Sequence, residues 1–302
     1  MLEILTRAGC FIAIIVLGYI LRKINIFKEE DFAVLSKILL KITLPAAIVS
    51  SFVGKEIAPS MLALSLLGIG AGLIYIGLAC LFSKRGEQEK RAFEIVNMSG
   101  YNIGAFTMPF AQGFLGPIGV ITTSLFDVGN AFICLGGSFG LATIVKEGGR
   151  FSVKKIGQAL IKSVAFDCYV IMTIVSLAHI QIPTAIVSFA EIIGNANAFI
   201  AMLMIGVGFK MAGDRKQIGR IVRILAVRYG VGALLAMGSY FLLPFPLEVR
   251  QALVILAFGP LPSAAPAYTE RLKGDVGLSS ALNSVSIVCS ITFIVLILLF
   301  ML

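Results

Sequence analysis

Ten apolar segments of membrane-spanning length follow one another along the chain, and they constrain the fold more than any other feature. About 20 apolar residues cross the hydrocarbon core of a bilayer as one helix. Of the 302 residues, 58% are hydrophobic and 14% are charged, as in polytopic membrane proteins. Lipid offers no water to a broken backbone, so we expect an all-α protein. The segments are Ile4–Leu21, Ala33–Val53, Pro59–Phe82, Phe93–Leu115, Ile118–Val145, Ala159–Ile180, Thr184–Phe209, Ile221–Phe245, Val249–Tyr268 and Val276–Leu302.

The basic residues alternate between the loops that join these segments. Odd-numbered loops carry 17 basic residues, whereas even-numbered loops contribute Lys55 and Arg250. The positive-inside rule therefore places the odd loops in the cytoplasm and both termini outside the cell membrane. The net charge of +9 is thus explained by topology, and we expect no nucleic-acid partner. The 17 residues are Arg22, Lys23, Lys28, Lys84, Arg85, Lys90, Arg91, Lys146, Arg150, Lys154, Lys155, Lys210, Arg215, Lys216, Arg220, Arg271 and Lys273.

Two stretches inside the apolar segments are unusually rich in polar residues, glycine and proline. They are residues 97–117, which contain Pro109, and residues 258–277, which contain Pro266. An internal proline removes a backbone hydrogen bond of a helix, and lipid cannot replace it. In both stretches a glycine pair follows the proline at a similar distance, starting at Gly116 and Gly274. Paired weak points in two halves predict broken helices around a polar site, as in secondary transporters.

The span count predicts how the two halves are related. Five spans are an odd number, so a second set of five begins on the opposite side of the membrane. We therefore expect two inverted repeats, residues 1–145 and 159–302, joined by a cytoplasmic linker, residues 146–158.

Polar residues at the two breaks are candidates for binding a substrate. Asn102 and Gln112 belong to the first break and Ser263 to the second, where half-helix N-termini favour carboxylates and other anions. Asp127 is the preferred acid for coupling to Na⁺ or H⁺ if transport is coupled, and Asn130 lies on the same helix face. An ionised carboxylate at mid-bilayer costs about 3 kcal/mol or more, so Asp127 should face the bundle interior. Asp167 and Glu191 also lie within spans and stay open as alternatives.

Other residue patterns favour structural roles. The five cysteines are unpaired in apolar segments, and His179 is the only histidine, so we expect neither disulfides nor a metal site. Gly68 and Gly72 are interpreted as helix-packing residues. Arg223 and Arg228 at the start of the eighth span are expected to extend the cytoplasmic basic edge. We expect no cofactor.

Several motifs along the chain resemble the auxin efflux carrier family, relatives of PIN-type auxin carriers and bacterial malate permeases. The similarity rests on Lys-Ile-Thr-Leu-Pro-Ala at 41–46 and Asn-Met-Ser-Gly-Tyr-Asn-Ile-Gly followed by Met-Pro at 97–109. Gly-Asn-Ala-Asn-Ala at 194–198 and the proline-rich ninth span add to it. The long hydrophilic central loop of many plant members is absent.

The resemblance implies a fold like that of sodium/proton antiporters and bile-acid symporters. In such folds spans four and nine are broken and cross at mid-membrane. Spans three to five and eight to ten form a transport domain, and spans one, two, six and seven form a scaffold that commonly dimerises. Carried over to this chain, Asn102, Pro109, Pro262 and Pro266 become substrate-site residues.

The sequence therefore predicts a secondary transporter of small organic anions, such as malate-like carboxylates or auxin-like compounds, in the cytoplasmic membrane, working by elevator-like alternating access. A channel or sensor on the same scaffold is the alternative. An intramembrane enzyme is disfavoured because HExxH and paired-aspartate motifs are absent from the sequence, which has only one histidine.

Overall fold

Helices make up almost all of the chain in a computed structural model that describes residues 2–55, 57–83, 88–148, 150–209 and 217–301. No β-strand occurs within these ranges. Five of the basic loop residues lie outside them: Lys84, Arg85, Lys210, Arg215 and Lys216. The all-α prediction is confirmed for the described part of the chain.

The described ranges contain fifteen α-helices, which are numbered in chain order. They are α1 Leu2–Lys23, α2 Asp31–Ile38, α3 Leu44–Phe52, α4 Ala63–Phe82, α5 Gln88–Met98, α6 Met108–Phe132, α7 Ser138–Glu147, α8 Val153–Ile161, α9 Val164–Leu177, α10 Thr184–Asn195, α11 Asn197–Gly208, α12 Ile218–Leu242, α13 Leu247–Ala257, α14 Ala265–Arg271 and α15 Val276–Met301. Three π-helical turns join successive helices at Leu39–Thr43, Ile103–Thr107 and Ile133–Gly137, and a 3₁₀ turn, Pro59–Leu62, precedes α4.

Seven helical runs in the described ranges are long and apolar enough to cross a membrane, and the bent pair α8–α9 raises this number to eight. One run, Gln88–Glu147, has 60 residues, about three times the length that a single span requires. Gly116 interrupts it with a left-handed backbone, φ +61°. Large apolar side chains such as Leu66, Phe241 and Phe300 are well exposed, as expected of a surface that faces lipid.

The sixth predicted segment differs most from the structure. Helix α8 begins inside the stretch that was predicted as a linker and meets α9 at an angle of 80°. Ser152 caps α8, because its hydroxyl accepts a hydrogen bond from the Lys155 amide. The apolar residues of α8 are concentrated on one face, and helices with this pattern lie along a membrane surface more readily than across it. The predicted segment Ala159–Ile180 combines the last three residues of α8 with α9 in one span.

The helices pack in two groups. Helices α1, α2, α3, α9, α10 and α11 contact one another, chiefly through the pairs α1–α11, α3–α10 and α3–α9. Helices α4, α5, α7 and α12 to α15 form the second group, in which α4 packs on α5 and α14 packs on both α5 and α15. Helix α6 contacts members of both groups.

Candidate functional site

The two proline- and glycine-rich stretches are both interrupted, and the interruptions touch each other. Helix α5 ends at Met98 and α13 ends at Ala257. The two interruptions are joined by a hydrogen bond of 3.0 Å, which the backbone N–H of Asn102 donates to the carbonyl oxygen of Pro260. We call residues 99–102 and 258–264, where the two chains meet, the crossover.

Glycine allows the first interruption to form. Gly100 adopts φ +79°, and a Cβ at this position would lie 2.4 Å from the Cys134 sulfur. A larger residue would therefore be strained by both its backbone and its neighbour. In the second interruption Pro260 and Pro262 have no amide hydrogen, so the helix cannot continue through them.

Pro109 and Pro266 do not cause the interruptions, in contrast to the interpretation of the sequence. Pro266 is the second residue of α14, whose first turn tolerates proline because its amide hydrogens have no acceptor within the helix. Pro109 is the seventh residue of the helical run that begins at Ile103, directly after the π-helical turn Ile103–Thr107. The breaks themselves lie upstream of both prolines.

Arg228 holds the crossover together and was missed as a site residue. Its guanidinium donates hydrogen bonds to four carbonyl oxygens, which we call the crossover carbonyls. They belong to Met98 at 2.6 Å, Gly100 at 2.8 Å, Gly259 at 3.0 Å and Pro260 at 3.1 Å. Arg228 is only 1% exposed, so the expectation that it extends the basic surface is wrong. Its depth, two turns inside an apolar helix, was the signal that could have revealed it.

Arg223, which was expected beside Arg228 on the basic edge, pairs with the buried carboxylate of Glu94 on α5. Its side chain is 42% exposed. Arg223 and Arg228 therefore have different surroundings although they are only five residues apart on α12.

Two asparagines attach the crossover to the helices that follow it. The Asn130 side chain accepts from the Tyr101 amide at 2.9 Å and donates to the Tyr101 carbonyl at 3.0 Å. The Asn283 side chain of α15 donates to the Pro262 carbonyl at 3.5 Å, and its own Oδ1 is buried without a hydrogen-bond partner. In each of the two segments of the crossover, one asparagine side chain thus forms a hydrogen bond with the backbone.

Asp127 links the crossover to α9. One carboxylate oxygen accepts a hydrogen bond from the side-chain amide of Asn130 at 2.8 Å, and the other accepts one from the Tyr169 hydroxyl at 3.0 Å. Asp127 is half-buried, as a membrane carboxylate beside a cavity should be. Asp167 and Glu191, the two alternatives, lie elsewhere, and Glu191 is exposed.

A cavity of about 150 Å³ lies against the crossover, and we call it the central cavity. Five residues that the sequence singled out line it: Asn102, Asp127, Asn130, Pro262 and Ser263. Asp127 is the only acidic residue on its described wall. Each π-helical turn also contributes to this wall, which agrees with the frequent placement of such turns at functional sites.

Gln112 lies apart from the central cavity. Its side chain donates to the Gly194 carbonyl at 3.2 Å and accepts from Asn197 at 3.1 Å. Asn197 in turn accepts from Thr43 at 3.2 Å. The helix is interrupted at Ala196, so that Asn197 is buried while Asn195 is exposed. Gln112 therefore joins α6 to the first helix group. Pro109 and Pro266 do not line the central cavity either.

A second cavity of about 280 Å³ adjoins the first, and we call it the basic vestibule. Arg150, Lys155 and Arg271 line it, and its described wall has no acidic side chain. Leu135 belongs to the walls of both cavities. Beside it the Tyr268 hydroxyl donates to the Cys134 carbonyl at 3.0 Å.

Comparison with known families identifies the chain. A family model described as membrane transport protein matches residues 10–165, just over half of the sequence. The chain belongs to this family, the auxin efflux carrier family. No curated protein matches it significantly. The matched range contains the first interruption, Asn102, Asp127 and Asn130, so the family assignment rests on the half of the chain that supplies most of the central cavity. The protein is a multi-pass membrane transport protein.

Proposed function

We propose that this protein is a secondary transporter of small organic anions, and that the central cavity is its substrate site. The observation that carries the proposal is the wall formed by Asn102 and the turn that follows it. Ile103, Gly104 and Ala105 line the cavity as the first residues of a helical run. Their amides have no acceptor one turn earlier in the helix and present positive dipole charge, which suits a carboxylate.

The remaining wall is consistent with a small carboxylate such as malate or an auxin-like acid. Asn102 and Ser263 can donate hydrogen bonds, while Leu40, Leu44 and Phe166 are apolar. The volume of about 150 Å³ is below the roughly 300–1,000 Å³ of pockets for drug-sized ligands. If transport is coupled to Na⁺ or H⁺, Asp127 and Asn130 are the residues that we expect to carry the ion.

Ten spans in two inverted repeats fit the same proposal. The run Gln88–Glu147 has room for two spans separated at Gly116, and α13, the crossover and α14 together supply another. Pro109 and Pro266 each lie on the C-terminal side of the break in their half. Asn130 and Asn283 hold the two breaks in a similar way. This pairing of features in the two halves supports the repeat.

The two helix groups support an elevator mechanism with a transport domain and a scaffold. The predicted transport-domain helices pack on one another around the crossover, and the predicted scaffold helices form the first group. Near the cavity, few side-chain hydrogen bonds join α6 to the first helix group. They include the bond from Tyr169 to Asp127 and the bonds of Gln112 with Gly194 and Asn197. We propose the cytoplasmic membrane as the location, both termini outside, and a homodimer formed through the scaffold.

Uptake into proteoliposomes tests the function. Purified protein should take up radiolabelled malate-like or auxin-like carboxylates with saturation and counterflow. We expect Asn102→Ala to raise KM about tenfold, because losing one hydrogen bond to a charged group costs about 1.5 kcal/mol or more. Asp127→Asn should remove the dependence of the rate on pH if this acid carries a proton.

Asn195→Ala is the matched control, since Asn195 is exposed and lies outside the central cavity. Its KM should equal that of the unmodified protein. Unchanged transport in both Asn102→Ala and Asp127→Asn would show that the central cavity is not the substrate site. Flux that does not saturate, together with single-channel currents, would show that the protein is a channel and not a carrier.

A further inference from the structure

Arg228 occupies the place where the negative ends of two broken helices converge. Its guanidinium lies within 2.6–3.1 Å of the four crossover carbonyls, two from the end of α5 and two from the end of α13. The last carbonyls of a helix have no partner within it and carry partial negative charge. In transporters with broken helices, such unwound carbonyls are typical ligands of Na⁺.

The charge on this side chain is permanent. Arginine cannot lose its proton at physiological pH. Its guanidinium lies over the rings of Tyr75 and Tyr101 at 5.0 and 4.8 Å, an arrangement in which aromatic faces stabilise a desolvated cation. Among the described residues no carboxylate forms an ion pair with Arg228. The crossover carbonyls and the two rings therefore compensate this buried charge.

We propose that Arg228 is a built-in cation that replaces an exchangeable coupling cation at the crossover, so that the site binds its anion without Na⁺. This inference rests on the proposed transport function and specifies how the same site is made selective. A Na⁺ ion would need the oxygens that the guanidinium already holds. The positive charge of the guanidinium would also repel a second cation at this position.

The selectivity follows from which helix ends are neutralised. Arg228 neutralises the C-terminal ends of α5 and α13. The first-turn amides of Ile103 to Ala105 stay free to act on the central cavity. The net field there favours an anion. Two residues near Arg228 line this cavity. The guanidinium stacks against Tyr101, and Pro262 lies two positions after Pro260, whose carbonyl the guanidinium binds.

The first experiment uses the unmodified protein and needs no transport. Thermal unfolding of the purified protein is compared in NaCl and in choline chloride at equal ionic strength. We expect equal midpoints, because the guanidinium already holds the crossover carbonyls that Na⁺ would need, which leaves H⁺ as the ion that Asp127 would carry if transport is coupled. The KM for a transported carboxylate should also be the same in both salts. A rise in midpoint or a fall in KM that is specific to Na⁺ would overturn the proposal.

The second experiment empties the cation position and supplies a replacement. Arg228→Ala should unfold at a lower temperature, and millimolar guanidinium should raise its midpoint by more than it changes the midpoint of the unmodified protein. Leu234→Ala is the control, because it truncates a side chain on the same helix at a position that is 65% exposed. It should show no such gain. An equal response of both variants would contradict the built-in cation.

Arg228→Lys keeps the experiment informative if the alanine variant does not fold. An ammonium has three donors and cannot reach four carbonyls on two chains as the planar guanidinium does. We expect a folded protein with uptake reduced about tenfold, which corresponds to the loss of roughly one charged hydrogen bond. Uptake equal to that of the unmodified protein would overturn the proposal. Failure of the unmodified protein to transport any carboxylate would instead overturn the proposed function and leave both unfolding experiments valid.

Discussion

Gly68 shows how strongly single residues limit the approach of two helices in this protein. A Cβ on Gly68 would lie 2.2 Å from the Phe126 carbonyl oxygen, and one on Gly129 of the facing helix would lie 1.8 Å from the Ser65 carbonyl oxygen. The backbones of α4 and α6 touch here because neither residue has a side chain. Gly70 lies about half a turn away on α4, and a Cβ on this residue would have no neighbouring atom within 4 Å.

The two glycines of α4 provide a matched pair of variants. We expect Gly68→Ala to lower the free energy of unfolding by about 1–3 kcal/mol, the usual cost of overpacking. Gly70→Ala should be neutral or stabilising by up to about 1 kcal/mol, since alanine is the better helix former. Thermal unfolding in detergent measures both. Equal destabilisation of the two variants would mean that α4 does not approach α6 through Gly68.

The residues of the central cavity differ in how visible they were in the sequence. Asn102, Asp127 and Asn130 stand out because polar side chains are costly inside apolar segments and therefore face a partner or a cavity. Gln112 met the same criterion but contacts Gly194 and Asn197 instead. Residue type indicates that a partner exists, whereas only packing decides which partner it is.

At the scale of elements, helix α8 and the residues that follow it line the two adjoining cavities. It ends near Ser163, whose position before α9 lets residues 163–169 reach the cavity. The same helix supplies Lys155 to the basic vestibule, while its neighbour Lys154 is exposed and does not line it. Helix α8 therefore lines the basic vestibule, while Ser163 and residues of α9, beyond the 80° bend, line the central cavity.

The two lysines allow a test of the basic vestibule as an entry path for anions. We expect Lys155→Gln to raise KM for a carboxylate by about twofold to tenfold at low ionic strength, because local positive potential concentrates anions, and less at high salt, where charges are screened. Uptake measured over a series of salt concentrations provides the data. Lys154→Gln should change KM little, and an equal effect of both would assign the result to general surface charge.

At the scale of the whole molecule, the distribution of basic loops makes a prediction about orientation. Residues 55 and 154 are both exposed lysines, and they lie in loops assigned to opposite sides of the membrane. Their positions can therefore report which face of the protein meets the cytoplasm.

Cysteine labelling tests this orientation. In a variant whose five native cysteines are replaced, Lys55→Cys should react with an impermeant maleimide on intact cells. Lys154→Cys should react only after the membrane is opened. The reverse pattern would invert the predicted topology, while labelling of both from outside would place residues 55 and 154 on the same face.

The amino-acid sequence specified an all-α membrane protein with two weak points in its spans, because apolar segments of about 20 residues satisfy their backbone hydrogen bonds in lipid as helices. It also revealed the family through motifs near the first weak point. The tertiary structure alone decided that the two interruptions meet, that they lie upstream of Pro109 and Pro266, and that Arg228 joins them. These facts depend on contacts between residues 98–102, 228 and 259–260, which are far apart in the chain, and no local pattern specifies such contacts.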